Sequence, residues 1–308
     1  EKYPRRTLPN GHIRSVGIAM AMQGSAISGI DVGGATLKVN DEGFVNLLIG
    51  AADMGTGCDT TLAQIAAECL EISVDQVVTA QVDTDTSPYD SGSYASSTAF
   101  LTGGAVYKCA MELIDVIKAE ACRQKEWQKE DADYHDGLVE HIPTGEQITL
   151  AELAYTSECG GKPMFATANH TCPNSPPPFM AGAAEIDLDP ETGKVELVEY
   201  DAVVDCGTPL NPNLAQVQTE GGLVQGIGMA LMEDVRYNRD GSLIERNFLQ
   251  YKIPTRQDIC PIHVEFAPSY EEQGPFGAKS IGEIVIDTPC PAIANAVENA
   301  CGVRIRQM

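Results

Sequence analysis

The chain has 308 residues, 43% of them hydrophobic, which is enough to bury one sizeable core or two smaller ones. Asp and Glu number 44 against 20 Lys and Arg, giving a formal net charge of −24 and a pI near 4.4. So acidic a surface argues against nucleic acid and anionic membrane as partners. No apolar run reaches the roughly 18 residues of a membrane span and no signal peptide is visible, so a cytoplasmic protein is expected.

In chain order, residues 1–28 read as an N-terminal lead-in, with small residues clustered from Gly24 to Gly29. The stretches 35–40 and 44–49, joined by Asp41-Glu42-Gly43, read as a β-hairpin. From Asp59 the apolar spacing becomes helical through Leu62, Ile65, Ala66, Cys69 and Leu70, and 76–82 returns to a strand. A second long helical pattern covers 99–122. The charged stretch 123–148 reads as a surface excursion, and the proline-rich run at 173–179 as a stiff connector. A second hairpin turns at Pro190-Glu191-Thr192-Gly193, a helix is expected over 212–235, and a third hairpin turns at 238–241. Pro289 to Ala300 has the pattern of a closing helix with proline in its first turn. Strands alternating irregularly with long helices predict an α+β class with two similar lobes: 29–172 and 173–308.

Ten cysteines contain no C-x-x-C pair, which excludes the usual zinc and iron–sulfur spacings and predicts reduced, buried thiols. The five histidines are scattered without ligand spacing.

Four stretches carry candidate chemistry. Gly55-Thr56-Gly57 sits between a strand and a helix start, where free N–H groups and the helix dipole make an anion site; the alternative is a structural turn. Asp90 to Thr98 is a run of small hydroxyl residues opening the second long helix; it suits close approach of a flat ligand, or simply an N-cap. Gln225 lies mid-helix among Gly222, Gly226 and Gly228, which predicts a backbone pressed against a ligand or another helix. Finally, Glu283 ends the run Phe276-Gly277-Ala278-Lys279-Ser280-Ile281-Gly282-Glu283, where small residues hold a carboxylate on a tight connection.

In this order and spacing, these stretches resemble the C-terminal half of the molybdenum-binding subunit of the xanthine dehydrogenase family, from about Gly29 to the end. The resemblance implies two α+β lobes with mixed sheets packed around a buried molybdopterin site. It implies Glu283 as the catalytic base, which deprotonates the attacking oxygen so that an electron-poor ring carbon is hydroxylated with water as oxygen source. It places Gly55, Thr56, Gly57, Ala95, Ser96, Gln225, Gly226 and Lys279 at the cofactor, with Gln225 bonding the metal's apical oxo group and Tyr94 facing substrate. Thr56 stands where the family commonly has glutamine. Molybdenum itself is held by the pterin dithiolene, so no protein metal ligand is expected.

The family's other cofactor motifs are absent from these residues. The cofactor, expected in its cytosine dinucleotide form, would therefore be shared with a larger molybdopterin subunit or with the N-terminal half of the same subunit. Fe–S and FAD are expected on further subunits, and the chain alone is expected to be inactive. The substrate implied is a small N-heteroaromatic, a purine such as xanthine. A nicotinate dehydrogenase medium subunit is the alternative, and a non-catalytic scaffold or assembly subunit is the reading from another class.

Overall fold

The computed structural model describes residues 5–308. Its strands are β1 (Arg6–Thr7), β2 (Ile13–Met22), β3 (Gly33–Val39), β4 (Val45–Ile49), β5 (Val77–Thr79), β6 (Ala132–His135), β7 (Leu138–His141), β8 (Glu146–Thr149), β9 (Phe165–His170), β10 (Phe179–Leu188), β11 (Val195–Asp205) and β12 (Ile262–Phe266). Its longer helices are α1 (Cys58–Cys69), α2 (Gly103–Lys125), α3 (Leu150–Cys159), α4 (Pro212–Leu231) and α5 (Pro289–Cys301). The α+β class holds. The chain divides into a terminal unit, comprising the chain up to Gln23, Pro177–Ser269 and Ile281–Met308, and an inserted unit, Gly24–Pro176 with Tyr270–Ser280. The proline connector thus falls where the chain re-enters the terminal unit, because consecutive prolines resist both helix and ladder. Residues 13–22 are more than a lead-in: β2 pairs with β10 along its whole length, from Ile13↔Leu188 to Met22↔Phe179.

The two units share one run of elements, a hairpin, a crossover helix, a parallel strand and a helix on the sheet, while the fourth strand follows that run in one unit (β9) and precedes it in the other (β2). In the inserted unit the sheet order is β5-β4-β3-β9, with β3–β4 an antiparallel hairpin and β5 parallel to β4 across α1. The terminal unit has the order β1-β2-β10-β11-β12; β10–β11 is the hairpin, and β12 runs parallel to β11 across α4. Helix α2 lies on β3 and β9 as α5 lies on β10 and β2. Both hairpins turn on a glycine in the left-handed region, Gly43 (φ 86°) and Gly193 (φ 75°), a conformation that costs glycine little.

Period-two burial drives the sheets. In β3 and β4, Ala35, Leu37, Val39, Val45, Leu47 and Ile49 are essentially fully buried, while Thr36 and Lys38 point away. The core of the terminal unit is built from Met180, Ala184, Tyr200, Val204, Leu223, Ile227, Ile284, Val285, Ala292 and Ile293.

Three regions differ from the sequence reading. The stretch 123–148 contains a small antiparallel sheet, β6-β7-β8, because Ala132, Tyr134, Val139 and Ile148 alternate into a core between charged neighbours. The third hairpin reduces to a single bridge, Tyr237↔Leu243, around the Asn238–Gly241 turn. Ahead of α2, Thr98–Thr102 winds as a π-turn, a wider coil than the expected helix. All ten cysteines are free thiols, but only Cys58, Cys109, Cys172 and Cys206 are fully buried.

Candidate functional site

The predicted residues fall in both units. Glu283, Gln225 and Gly226 belong to the terminal unit; Gly55, Thr56, Gly57, Tyr94, Ala95, Ser96 and Lys279 belong to the inserted unit. The border between the units runs through the Glu283 motif itself, between Ser280 and Ile281.

Glu283 is exposed and heads a 3-10 turn, Ile284–Ile286, accepting the Ile286 N–H on its carbonyl at 3.1 Å. The next two side chains, Ile284 and Val285, are fully buried. A carboxylate in solvent is therefore mounted on a backbone anchored in the core. Its Oε2 accepts a hydrogen bond from Gln23 Nε2 at 2.6 Å. Asp287 lies one turn on; partial desolvation, and then the charge of Glu283, push its carboxyl above the ordinary range.

The glycines of α4 have a different purpose from the one expected of a ligand loop. A Cβ on Gly222 would overlap the Val285 side chain, and one on Gly226 would stand 2.7 Å from Pro289 Cγ and 2.8 Å from the Ile286 carbonyl. On Gly228 it would meet Pro254 Cδ at 2.6 Å. For Gly222 and Gly226 the close partner is thus the segment carrying Glu283 into α5. Gln225, on the same helix, is exposed. A groove of about 480 Å³ runs beside this helix, lined by Val217, Glu220, Gly221, Val224, Ile259, Cys260 and Ile262.

In the inserted unit, the loop before α1 already bonds the N–H groups of its two glycines. Asp53 Oδ1 accepts the N–H groups of Gly55 (2.8 Å) and Gly57 (3.2 Å), and its Oδ2 faces the N–H of Asp59 at 3.5 Å. Burial pushes the Asp53 carboxyl up, but donation from Gly55, Gly57, Asp59 and Thr56 outweighs it and holds the group below its usual range. The helix start expected to be an anion seat is filled by the chain's own anion.

The hydroxyl run is internally bonded as well. Ser97 Oγ donates to the Gly92 carbonyl at 2.6 Å, and Thr102 Oγ1 to Asp90 Oδ2 at 2.7 Å. The Tyr94 hydroxyl donates to Asp31, a carboxylate only 1% exposed that also accepts the Ile27 N–H at 2.7 Å. That bond, followed by burial, raises the Tyr94 phenol above its usual value. Ala95 and Ser96 are both left-handed, with φ 49° and 54°. They are tied at their carbonyls, Ala95 by the Ala26 N–H at 2.8 Å and Ser96 by the hydroxyl of Ser280. Ser280 thereby brings the C-terminal motif, with half-buried Lys279 beside it, against the serine run.

Sequence reasoning passed over Gln23, Asp31, Asp53 and Asp287. Asp53 was within reach, since Asp-x-Gly is a turn signal in which the carboxylate caps the following N–H groups. Gln23 and Asp31 flank the small-residue cluster treated as a lead-in, and nothing local marks their partners, which lie 260 and 63 positions away. The same holds for His263, whose Nε2 sits 2.9 Å from Glu199 through the parallel pairing of β11 and β12.

Comparison with known proteins now bears on this arrangement. Residues 2–260 match the Molybdopterin cofactor-binding domain family. The chain belongs to the molybdopterin-binding xanthine dehydrogenase family. It is 33% identical over 294 residues to "Probable hypoxanthine oxidase XdhD" of Escherichia coli K12, covering 94% of this chain and 31% of that protein. It is also 33% identical over 289 residues to the xanthine dehydrogenase molybdenum-binding subunit of Escherichia coli O157:H7, covering 91% and 38% respectively. The crystal structure of quinoline 2-oxidoreductase from Pseudomonas putida 86 superposes with a TM-score of 0.86 at 26% identity, over 95% of this chain and 40% of that one. The chain of this family member thus spans about a third of the length of the curated relatives it matches.

The residues of this molybdopterin-binding chain fit the cofactor in part. Successive left-handed backbone at Ala95 and Ser96, with short side chains, leaves the main chain open to a flat group. Gly55 likewise has nothing within 4 Å of where a Cβ would stand. The Gly55 and Gly57 N–H groups do not fit a phosphate, because a second anion would meet the Asp53 charge already bonded there. Among the described residues, no helix is long and apolar enough to cross a membrane.

Proposed function

We propose that this chain is the part of a molybdenum hydroxylase that supplies the catalytic base, Glu283, for hydroxylating an electron-poor C–H of an N-heteroaromatic ring. The observation that carries the reading is the mounting of Glu283: a solvent-facing carboxylate fixed on a turn whose next two residues are fully buried. In the reaction, water provides the oxygen, the ring C–H is replaced by C–OH, and two electrons and two protons leave. The bound molybdopterin supplies the two-electron redox chemistry. Glu283 accepts the proton that the water-derived nucleophile must give up as it attacks. Gly55, Thr56, Ala95, Ser96, Gln225 and Lys279 are the residues that would hold the cofactor. Tyr94 borders the substrate through its ring edge, its hydroxyl being committed to Asp31.

A purine such as xanthine is the substrate class we favour, since the relatives are named for hypoxanthine and xanthine and the similar structure for quinoline. The cofactor is the cytosine dinucleotide form, shared with a larger molybdopterin polypeptide or a preceding half of the same subunit. Fe–S and FAD subunits take the electrons onward.

The test is Glu283→Gln in the assembled complex. Turnover of xanthine should fall by about 10²- to 10⁴-fold, the usual share of a general base, with molybdenum content unchanged. Steady-state activity near wild type would remove Glu283 from the role of base. An intact complex without molybdenum would leave a scaffold instead of an enzyme.

A further inference from the structure

We infer that Gln23 is the positioning residue of the Glu283 carboxylate, an inference that rests on the reading of Glu283 as the base. Gln23 Nε2 lies 2.6 Å from Glu283 Oε2, across 260 residues of sequence and within the terminal unit. A carboxylate oxygen only accepts, so the amide must present its N–H to it; the orientation of the glutamine is fixed by its partner. Gln23 itself is held from behind. It follows the last residue of β2, where Met22 pairs with Phe179, and its backbone N–H donates to the Pro178 carbonyl at 3.3 Å. One end of the pair is thus fastened to the central sheet, the other to the buried turn at Ile284 and Val285.

The contact has a directional consequence. Glutamate has three side-chain torsions, and an exposed carboxylate otherwise samples several rotamers. A charge-assisted bond from a sheet-anchored amide favours one of them. The bond engages Oε2 of the carboxylate. A neutral amide suits this task because it donates without adding a titrating group, and without forming an ion pair that would draw the proton-accepting charge away.

The experiment uses the assembled complex carrying four variants: Gln23→Leu, Gln23→Glu, Gln23→His and Glu283→Gln. Leucine removes the donor; glutamate keeps the shape and replaces the donor by a repelling acceptor; histidine returns a ring N–H at similar reach. Loss of orientation alone should lower kcat by about 10- to 100-fold in the leucine variant. The glutamate variant should fall further and the histidine variant recover toward wild type. KM should stay within about twofold, because the substrate is not touched. A readout independent of turnover is the density of the Glu283 side chain in the complex. It should occupy one rotamer in wild type and more than one in Gln23→Leu, with residues 284–289 unmoved. Wild-type kcat in the leucine variant, a Glu283 side chain still ordered in its original place, or a raised KM at unchanged kcat would each overturn the inference. If the leucine variant loses molybdenum or fails to assemble, the isosteric glutamate variant decides by the same kcat and density criteria. Failure of the base itself is separate: it shows as an active Glu283→Gln enzyme, whatever the Gln23 variants do.

Discussion

Two adjacent glycines on α4 allow the packing argument to be tested against its own control. Gly221 has nothing within 4 Å of a built Cβ, whereas one on Gly222 would overlap the Val285 side chain and stand 3.1 Å from its Cβ. Both lie in the helix interior, so replacing either by alanine gains the same propensity term, about 1 kcal/mol. Only Gly222→Ala adds overpacking. Val285 is fully buried and β-branched, so it has few rotamers into which to retreat, and the added cost is about 1–3 kcal/mol. The propensity term cancels between the two variants, leaving overpacking as the difference. With a urea m-value of about 3 kcal/mol/M, the midpoints should separate by roughly 0.3–1 M, Gly221→Ala above wild type and Gly222→Ala well below Gly221→Ala. Because Val285 is two residues from Glu283, Gly222→Ala should also reduce turnover of the complex while Gly221→Ala leaves it intact. Coincident midpoints would refute the claim that this glycine exists for the approach of the Glu283 segment.

The loop and the serine run give two further expectations. Asp53→Asn should destabilise the start of α1 by about 1 kcal/mol at neutral pH, the scale of a lost helix cap. The native carboxyl is held below its unfolded value, so that stability is present above the unfolded value and disappears as pH falls through the folded one. Urea midpoints of the two proteins should therefore converge in acid, and a difference independent of pH would contradict the assignment. Tyr94→Phe removes one donor from the nearly inaccessible Asp31 and should cost about 1–3 kcal/mol. Thermal unfolding would show this loss, while a changed KM with unchanged stability would mean that the hydroxyl serves substrate and not Asp31.

What the sequence made legible follows physical scale. Hairpins at 35–49 and 180–204 and the helices α1, α4 and α5 were readable because each is set by its own periodicity and turn residues. The three-stranded sheet at 132–149 was hidden, since strands of four residues give only two buried positions each, too few to stand out among so many charges. At the candidate site, Glu283 could be proposed from sequence because its motif is local. The fate of the Gly55 and Gly57 N–H groups needed the loop's actual geometry, which turns Asp53 inward upon them. Gln23 needed the sheet: only the pairing of β2 with β10 brings position 23 to position 283.

The doubled wiring explains why the candidate residues lie where they do. Each unit has two irregular segments, one leading into the crossover helix and one leading into the helix on the sheet face. In the inserted unit these are the Asp53–Gly57 loop before α1 and the Tyr94–Thr102 run before α2. The terminal unit has Asp205–Asn211 before α4 and Ile281–Thr288 before α5. The first pair is built alike. Asp53 accepts the N–H of Gly55 and Asp205 that of Gly207 (3.1 Å), in each case two residues on. A turn that consumes its own donors is a structural device, and its recurrence in both units, at the same point of the wiring, argues for that use over anion binding. The second pair diverges. One copy has left-handed Ala95 and Ser96, which open the main chain; the other has Glu283, which presents a carboxylate. The features shared by the two units are backbone pairings and turn geometry, which many side chains satisfy. On the proposed reading, the chemistry falls in the pair of segments whose residues differ between the two units.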